Sequence, residues 1–368
     1  MKPKLVLVDE GMFCVGMRLR AKIYYRYKGN DVLLCKNVVF TEALLKKLQT
    51  IAKAHGGIYI EADSYAEVWN ERLRRYSIDA ATYKKMFHKV RRDYVGIISK
   101  TTGLLRSVSL DGRVSLPAAD ILVDNVCSNI TQNDQSVVLR CVNLWGKADD
   151  YLYSHSVNVA ALNGMMGRWM ELPEEQIRQL IKIGLLHDLG KLKVPPEILN
   201  KPGRLTARDF EEIKKHPVYS NEILLQSGET DPDVIAAVRQ HHEKPNGTGY
   251  PDGLKQGDIS LMAKITSVSD VYDAMVSKRC YKEPSTPFEI LAQFKENRFS
   301  DLDLHVVNTF LDHITYLFVG MRVKLSNDAE AEVLFVPPGD VANPLVKVGD
   351  HVVATSDDCK CVSVESYL

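Results

Sequence analysis

Between His155 and Asp270 the chain sets imidazoles and carboxylates into stretches that otherwise carry the apolar spacing of buried helices, and that conflict constrains its fold more than any other feature. Five of the ten histidines fall between His155 and His242. Burying such groups is costly unless hydrogen bonds or a cation compensate them, so the elements that carry them must converge. From Asp149 to about Phe318 the helical period continues without strand-like alternation, which makes this region an all-α domain. A metal ion at the point of convergence would resolve the conflict.

The rest of the chain surrounds that domain with smaller pieces. At 368 residues it exceeds one ordinary core. Residues 1–75 read as a small α/β module, regulatory in character. In it Ile23–Tyr27 and Val32–Cys35 flank a hairpin turn at Lys28–Asp31, Thr41 caps a helix bearing Leu44, Leu45, Leu48 and Ile51, and Ile58–Ile60 forms a short strand. Asp9-Glu10 after the opening apolar run has the look of a receiver domain's first strand, but no βα series follows, and plain strand and turn is preferred. Residues 76–148 read as a helical connector, with helices over 83–98, 117–131 and 136–145 and a loop over 109–116. Residues 149–318 form the central helical domain. Over 319–368, Val323, Leu325, Ala331, Val333, Phe335, Val346, Val348, Val362 and Val364 alternate with polar residues, which predicts a small β-barrel-like module. The fold class is mainly α, with an α/β module before the multi-helix domain and a β module after it.

Composition excludes several function classes. Lys plus Arg and Asp plus Glu are 47 each, so no global field draws the chain to a nucleic acid polymer or a membrane surface. No run approaches the roughly 20 apolar residues of a membrane span, and Met1-Lys2-Pro3-Lys4 does not open a signal peptide. Seven scattered cysteines argue against a disulfide framework and for a reducing compartment, read as the cytoplasm. Cys359 and Cys361 lack the spacing of a zinc or redox pair. Neither a Gly-x-Ser-x-Gly elbow nor a phosphate-binding Gly-x-x-x-x-Gly-Lys-[Ser/Thr] loop is present.

The chemistry-bearing residues are individually ambiguous. His155 alone reads more readily as a satisfied core or surface histidine than as a ligand. His187-Asp188 ends an apolar helix that Gly190 terminates, and a two-oxygen carboxylate there can bridge two ions. Lys191, three residues beyond Asp188, shares its face and can meet a phosphate, although Lys191 and Lys193 also suit a helix C-terminus. His216 reads as the end of the helix opened by Thr206-Ala-Arg-Asp209, where the dipole would favour it beside Lys214 and Lys215. His241-His242 after an apolar helix form a credible imidazole pair for a transition metal. Asp270 lies inside an apolar helix and needs a partner, and Asp273 one turn later can orient a ligand from behind.

Taken together, Gly184-Leu-Leu-His187-Asp188-Leu-Gly-Lys191, His216, His241-His242 and Gly249-Tyr250-Pro251, between His155 and Asp270, resemble the HD-GYP branch of the HD metal-dependent phosphohydrolases. The resemblance runs from about Tyr151 to Tyr281. It implies an HD-type helical domain with His155, His187, Asp188, His216, His241, His242 and Asp270 as metal ligands, iron or manganese as metals, and cyclic dinucleotides, chiefly cyclic di-GMP, as substrates. Some members hold a third metal on a glutamate where this chain has Tyr151, so two divalent ions are expected. Asn246 stands where Asp is commoner.

Two metals would lower the pKa of a bridging water and polarise a phosphodiester. Asp188 and Lys191 are therefore the expected catalytic pair. Lys191, Tyr250, Arg279 and Lys282 are candidates for gripping substrate, with a solvated helix end as the alternative for Arg279 and Lys282 and a loop anchor for Tyr250. The expected activity is hydrolysis of cyclic di-GMP to the linear dinucleotide pGpG, with further cleavage to GMP open. A silent cyclic-dinucleotide sensor, a protein docking onto a diguanylate cyclase or another signalling protein, and an HD phosphohydrolase with another nucleotide substrate are the alternatives. Regulation, homodimerisation and partner docking are all open to the flanking modules.

Overall fold

The computed structural model describes residues 5–8, 18–27, 30–55, 57–61, 80–145, 151–199, 201, 203–276, 286–296, 301–337, 340–349, 351–356 and 359–364. Asp9-Glu10, Arg279, Tyr281 and Lys282 lie outside them, as does the side chain of Tyr151. The chain divides into two compact units, 1–83 and 84–368.

The N-terminal unit is an antiparallel sheet in the order β1-β4-β2-β3, formed by β1 (Leu5–Val8), β2 (Arg18–Tyr27), β3 (Asn30–Val39) and β4 (Ile58–Glu61). The expected hairpin joins β2 to β3, with Tyr27 opposite Asn30. Glu42–His55 is the expected helix, and Leu44 N donates to the Thr41 hydroxyl at its start. Ile23, Leu48, Ile58 and Ile60 are fully buried. β1 pairs antiparallel with β4, which is not the parallel βα series of a receiver.

One long helix, Ala80–Asp111, leads into the second unit and takes in residues 109–111 of the loop expected over 109–116. Leu116–Gln132 and Gln135–Trp145 follow, the first capped by the Ser115 hydroxyl with Pro117 in its first turn. Around Tyr151–Trp169 and Glu174–Leu186 the core buries Val159, Leu162, Met165, Leu180, Ile181 and Ile183, together with the polar side chains of His155, Asn158 and Asn163. These two helices cross at Gly184. A Cβ on Gly184 would lie 2.4 Å from the Ala160 Cα, so only glycine permits the backbones to approach this closely. The helices Ala207–Ile213, His216–Gln226, Pro232–Gln240, Leu261–Val276, Pro287–Lys295 and Leu304–Leu317 complete the layer.

β5 (Arg322–Leu325), β6 (Glu330–Phe335), β7 (Leu345–Val348), β8 (His351–Ala354) and β9 (Cys361–Val364) make the expected C-terminal β module, an antiparallel sheet in the order β8-β7-β6-β5-β9. It sits on the helices through Arg140, which donates to the Gly320 carbonyl, and through buried Phe318, whose ring lies 5.2 Å from Phe288.

Two local expectations need correction. His216 does not end the Ala207–Ile213 helix but starts the next one, with Pro217 behind it, so dipole stabilisation beside Lys214 and Lys215 has the wrong sign there. Gly190 does not stop the His187 helix, which already ends at Leu186. It lies in a 3-10 turn, Leu189–Lys193, where a Cβ would lie 2.0 Å from the His216 carbonyl oxygen.

Candidate metal centre

Four of the five histidines of the cluster, His155, His187, His216 and His241, leave a helix end or helix face with Nδ1 already committed. His187 Nδ1–H donates to the Gly184 carbonyl at 2.9 Å, His216 to Ile213 at 2.7 Å and His241 to Val238 at 2.8 Å. A carbonyl only accepts, so Nδ1 carries the proton and Nε2 keeps a lone pair. In His155 the same nitrogen meets Asp273 Oδ2 at 2.7 Å. The lone pairs then converge. His216 Nε2 and His241 Nε2 stand 3.3 Å apart with no proton between them, an arrangement that a cation relieves.

The ligand atoms form two groups, His155 with His187 and Asp188, and His216 with His241 and His242, and within each group they lie within 4.8 Å of one another. Asp188 stands between the groups. Its Oδ2 is 3.4 Å from His187 Nε2 and 3.5 Å from His155 Nε2, while Oδ1 is 3.3 Å from His216 Nε2. Asp270 spans the other side, with Oδ1 3.0 Å from His155 Nε2 and Oδ2 3.8 Å from His242 Nδ1. All seven residues named from the sequence as ligands therefore meet in one place.

The electrostatics follow from burial and proximity. Burial alone would raise Asp188, yet the charges of His187 and Lys191 hold its carboxyl well below the usual range, and His155 does the same for Asp270. Burial pushes His216 down to about 3 and His242 to about 4, and holds His241 well below an ordinary imidazole. Burial also lowers His155, but Asp270 and Asp273 reverse it and carry the group up to about 9. The donor set is thus anionic oxygen and mostly neutral imidazole, which suits a borderline transition metal better than magnesium. His187 Nε2 and Asp188 Oδ1 are buried without a hydrogen-bond partner, and an ion fits that deficit.

The remaining candidates are placed as follows. Lys191 Nζ pairs with Asp188 Oδ2 at 2.5 Å, and its side chain is 19% exposed, so it lies where the buried ligands meet solvent. The Tyr250 ring packs on His242 with centroids 4.8 Å apart. Asp273 carries the hydrogen bond to His155 and receives a second from Asn158 Nδ2 at 2.7 Å. Asn158 in turn accepts from the Tyr94 hydroxyl at 2.7 Å.

Sequence reasoning missed three residues that hold this arrangement. Asn158 is the buried link between Tyr94 and Asp273, and an Asn on an apolar helix face one turn from His155 was its only signal. Glu243, 3% exposed, accepts from the backbone N–H groups of Asp252, Gly253 and Leu254 at 2.6, 3.0 and 2.9 Å and so pins the loop carrying Tyr250. Ser220 donates to the His187 carbonyl and accepts from Gly190 N, each at 2.7 Å. Asn246, where Asp is commoner, accepts from Thr248 N at 2.9 Å, and the positive φ of 79° falls on Gly247.

Comparison with known proteins agrees with this geometry. Over 245 residues, covering 67% of this chain and 58% of the relative, the sequence is 35% identical to the cyclic di-GMP phosphodiesterase PA4108 of Pseudomonas aeruginosa. It is 29% identical to the 3'3'-cGAMP-specific phosphodiesterase 2 of Vibrio cholerae over 55% of this chain and 38% of that one. The chain therefore spans less than two thirds of either relative. Bd1817, an HDG"Y"P protein from Bdellovibrio bacteriovorus, aligns with 84% of this chain and 99% of its own at a TM-score of 0.51 and 16% identity, a likeness of fold. The HD domain family matches residues 122–306, half of the chain and the whole of the metal cluster, and with the Gly-Tyr-Pro loop in place the chain belongs to that family, on its HD-GYP side.

Proposed function

We propose that this protein is a metal-dependent phosphodiesterase that opens cyclic di-GMP to linear pGpG at a dinuclear centre held by His155, His187, Asp188, His216, His241, His242 and Asp270. The observation that carries this reading is the position of Asp188, which turns one oxygen to each histidine group. Two ions, iron or manganese given the nitrogen and oxygen donors, would supply a strong nucleophile from water near neutral pH and neutralise charge on the phosphoryl oxygens.

The chain's own residues do the rest. Asp188 holds the two groups in register. Asp273 and Asn158 fix the ring of His155, so its lone pair does not wander. Lys191, at the rim of the buried ligands, exchanges part of its pairing with Asp188 for a phosphate oxygen when substrate arrives. Tyr250, packed on His242, closes one side of the centre against water and offers a ring face to a guanine. Arg279 and Lys282 are further candidates for the phosphates. Since Tyr151 occupies the position of a third-metal glutamate, pGpG rather than GMP is the expected end product.

The test is anaerobic. Protein stripped and reloaded with iron or manganese should cleave cyclic di-GMP with one major product, and Asp188→Ala should lose bound metal and turnover together. Loaded protein that leaves cyclic di-GMP intact sinks the reading, and a variant that keeps both metals sinks the ligand assignment. A second reading keeps the chemistry and changes the dinucleotide, as the resemblance to a 3'3'-cGAMP-specific enzyme favours. Both substrates at equal concentration in one reaction separate the two.

A further inference from the structure

Away from the metal centre, the Ala80–Asp111 and Leu116–Gln132 helices leave a half-open groove of about 380 Å³ between them. Its position follows from spacing. Lys89, Arg92, Asp93, Gly96, Ile97 and Lys100 recur at helical intervals on one face, and Asn125, Ser128, Asn129 and Asn133 do so on the facing helix. Gly96 keeps the groove open, because a Cβ there would meet nothing within 4 Å. Glycine in mid-helix weakens the helix, so the space is retained against local preference.

The lining has three properties that go together. Lys89, Arg92 and Lys100 bring three positive charges against one negative charge from Asp93, and among the described residues none of these cations makes an ion pair. At the floor, Asn129 is 94% buried, and Asn129 Oδ1 and Asn125 Nδ2 are both buried without a hydrogen-bond partner. Such amides are costly unless a ligand or water completes them. Beside them Ile97 gives an apolar surface.

We infer that this groove is a second ligand site, for a nucleoside monophosphate. Its phosphate would lie on Arg92 and the two lysines, its ring on Ile97, and the edge of its base on the amides of Asn125 and Asn129, which can give and accept one hydrogen bond each. The volume lies within the range of about 300–1,000 Å³ usual for small-ligand sites. The site's net charge of two, three cations less Asp93, matches the two negative charges of the phosphate. Nothing in this inference requires the phosphodiesterase reading, because the two sites share no residue.

The test uses the full-length, metal-loaded protein. AMP and GMP are titrated calorimetrically beside inorganic phosphate, and photoreactive azido-AMP is crosslinked and mapped. Label in peptides spanning 89–100 or 125–133 is expected, with at least tenfold weaker nucleotide binding in Gly96→Leu and Arg92→Ser. Gly96→Leu sets its Cβ in open space, pushes its side chain into the groove and improves helix propensity, so metal content and melting temperature should stay at wild-type values. The inference fails if label appears only around Lys191 and Tyr250. It fails too if both variants bind like wild type, or if phosphate binds as tightly as AMP.

Discussion

The buried histidines of the centre differ in charge, and the difference lies in the two carboxylates that hydrogen-bond His155 and offset its burial. Burial holds His216, His241 and His242 below the ordinary imidazole range, whereas carboxylates on both sides of His155 raise it to about 9, so the metal-free chain carries a proton there at pH 7. Metal must displace that proton. Uptake should therefore release about one proton per site at neutral pH and weaken as pH falls, which calorimetry in buffers of different ionisation enthalpy would show. His216 and His242, held at about 3 and about 4, act in the opposite sense. Below the ordinary imidazole value of about 6.5 the unfolded chain takes up protons that these two refuse when folded, so they stabilise the metal-free protein at neutral pH and cease to as pH drops toward 4. Melts of chelator-treated protein should fall steeply over that window, while loaded protein resists. One residue further out, Asn158→Ala would remove the buried hydrogen bonds that link the Tyr94 hydroxyl to Asp273, a cost of about 1–3 kcal/mol. Metal affinity should fall by about 10–100-fold, and Asn158→Asp should not restore it, because two carboxylates would then face each other. Urea denaturation and metal titration of the two variants check this.

At the scale of elements, the helices and the metal ligands were legible, whereas the devices that aim those ligands were not. Apolar periodicity exposes the Tyr151–Trp169, Glu174–Leu186 and Leu261–Val276 helices because their buried faces are wide, with polar side chains such as His155 and Asp270 set among the apolar ones. The junction at His216 was misread because Lys214 and Lys215 suit a C-terminus locally, and only tertiary contact shows the chain turning there before Pro217. Gly190 was read as a stop signal because a glycine needed for close approach looks in sequence like one needed for a turn. Glu243 was passed over because a carboxylate beside two histidines looks like another ligand or a surface charge. Its three backbone partners lie 9 to 11 residues ahead, beyond any local pattern. Glu243→Ala should release the Tyr250 loop while leaving the histidines in place. Metal content should stay near wild type, and the Michaelis constant for the cyclic dinucleotide should rise by about tenfold or more, since hydrogen bonds to a charged acceptor contribute about 1.5–3 kcal/mol each. An equal loss of metal and of substrate binding would show instead that Glu243 supports the whole centre.

At the scale of the molecule, the C-terminal strands continue the helical core instead of forming an appendage. Phe318 and Met321, at the junction, are fully buried, Val323 and Val333 are equally so in the sheet, and Arg140 reaches across from the Gln135–Trp145 helix. A chain ending at residue 320 would uncover Phe318. Such a truncation should lose several kcal/mol, by an estimate of roughly 1.5–3 kcal/mol per uncovered large apolar side chain, and it should aggregate on size-exclusion chromatography. The centre itself draws on side chains from position 155 to position 270, brought in by separate helices and turns, with no two-residue stretch supplying more than two ligands. A nascent chain still on the ribosome before Asp270 emerges thus has no complete cage to offer, whatever the concentration of iron or manganese around it. If the proposed centre binds its ions, capture thus waits until the last ligand has been made and the helices have docked.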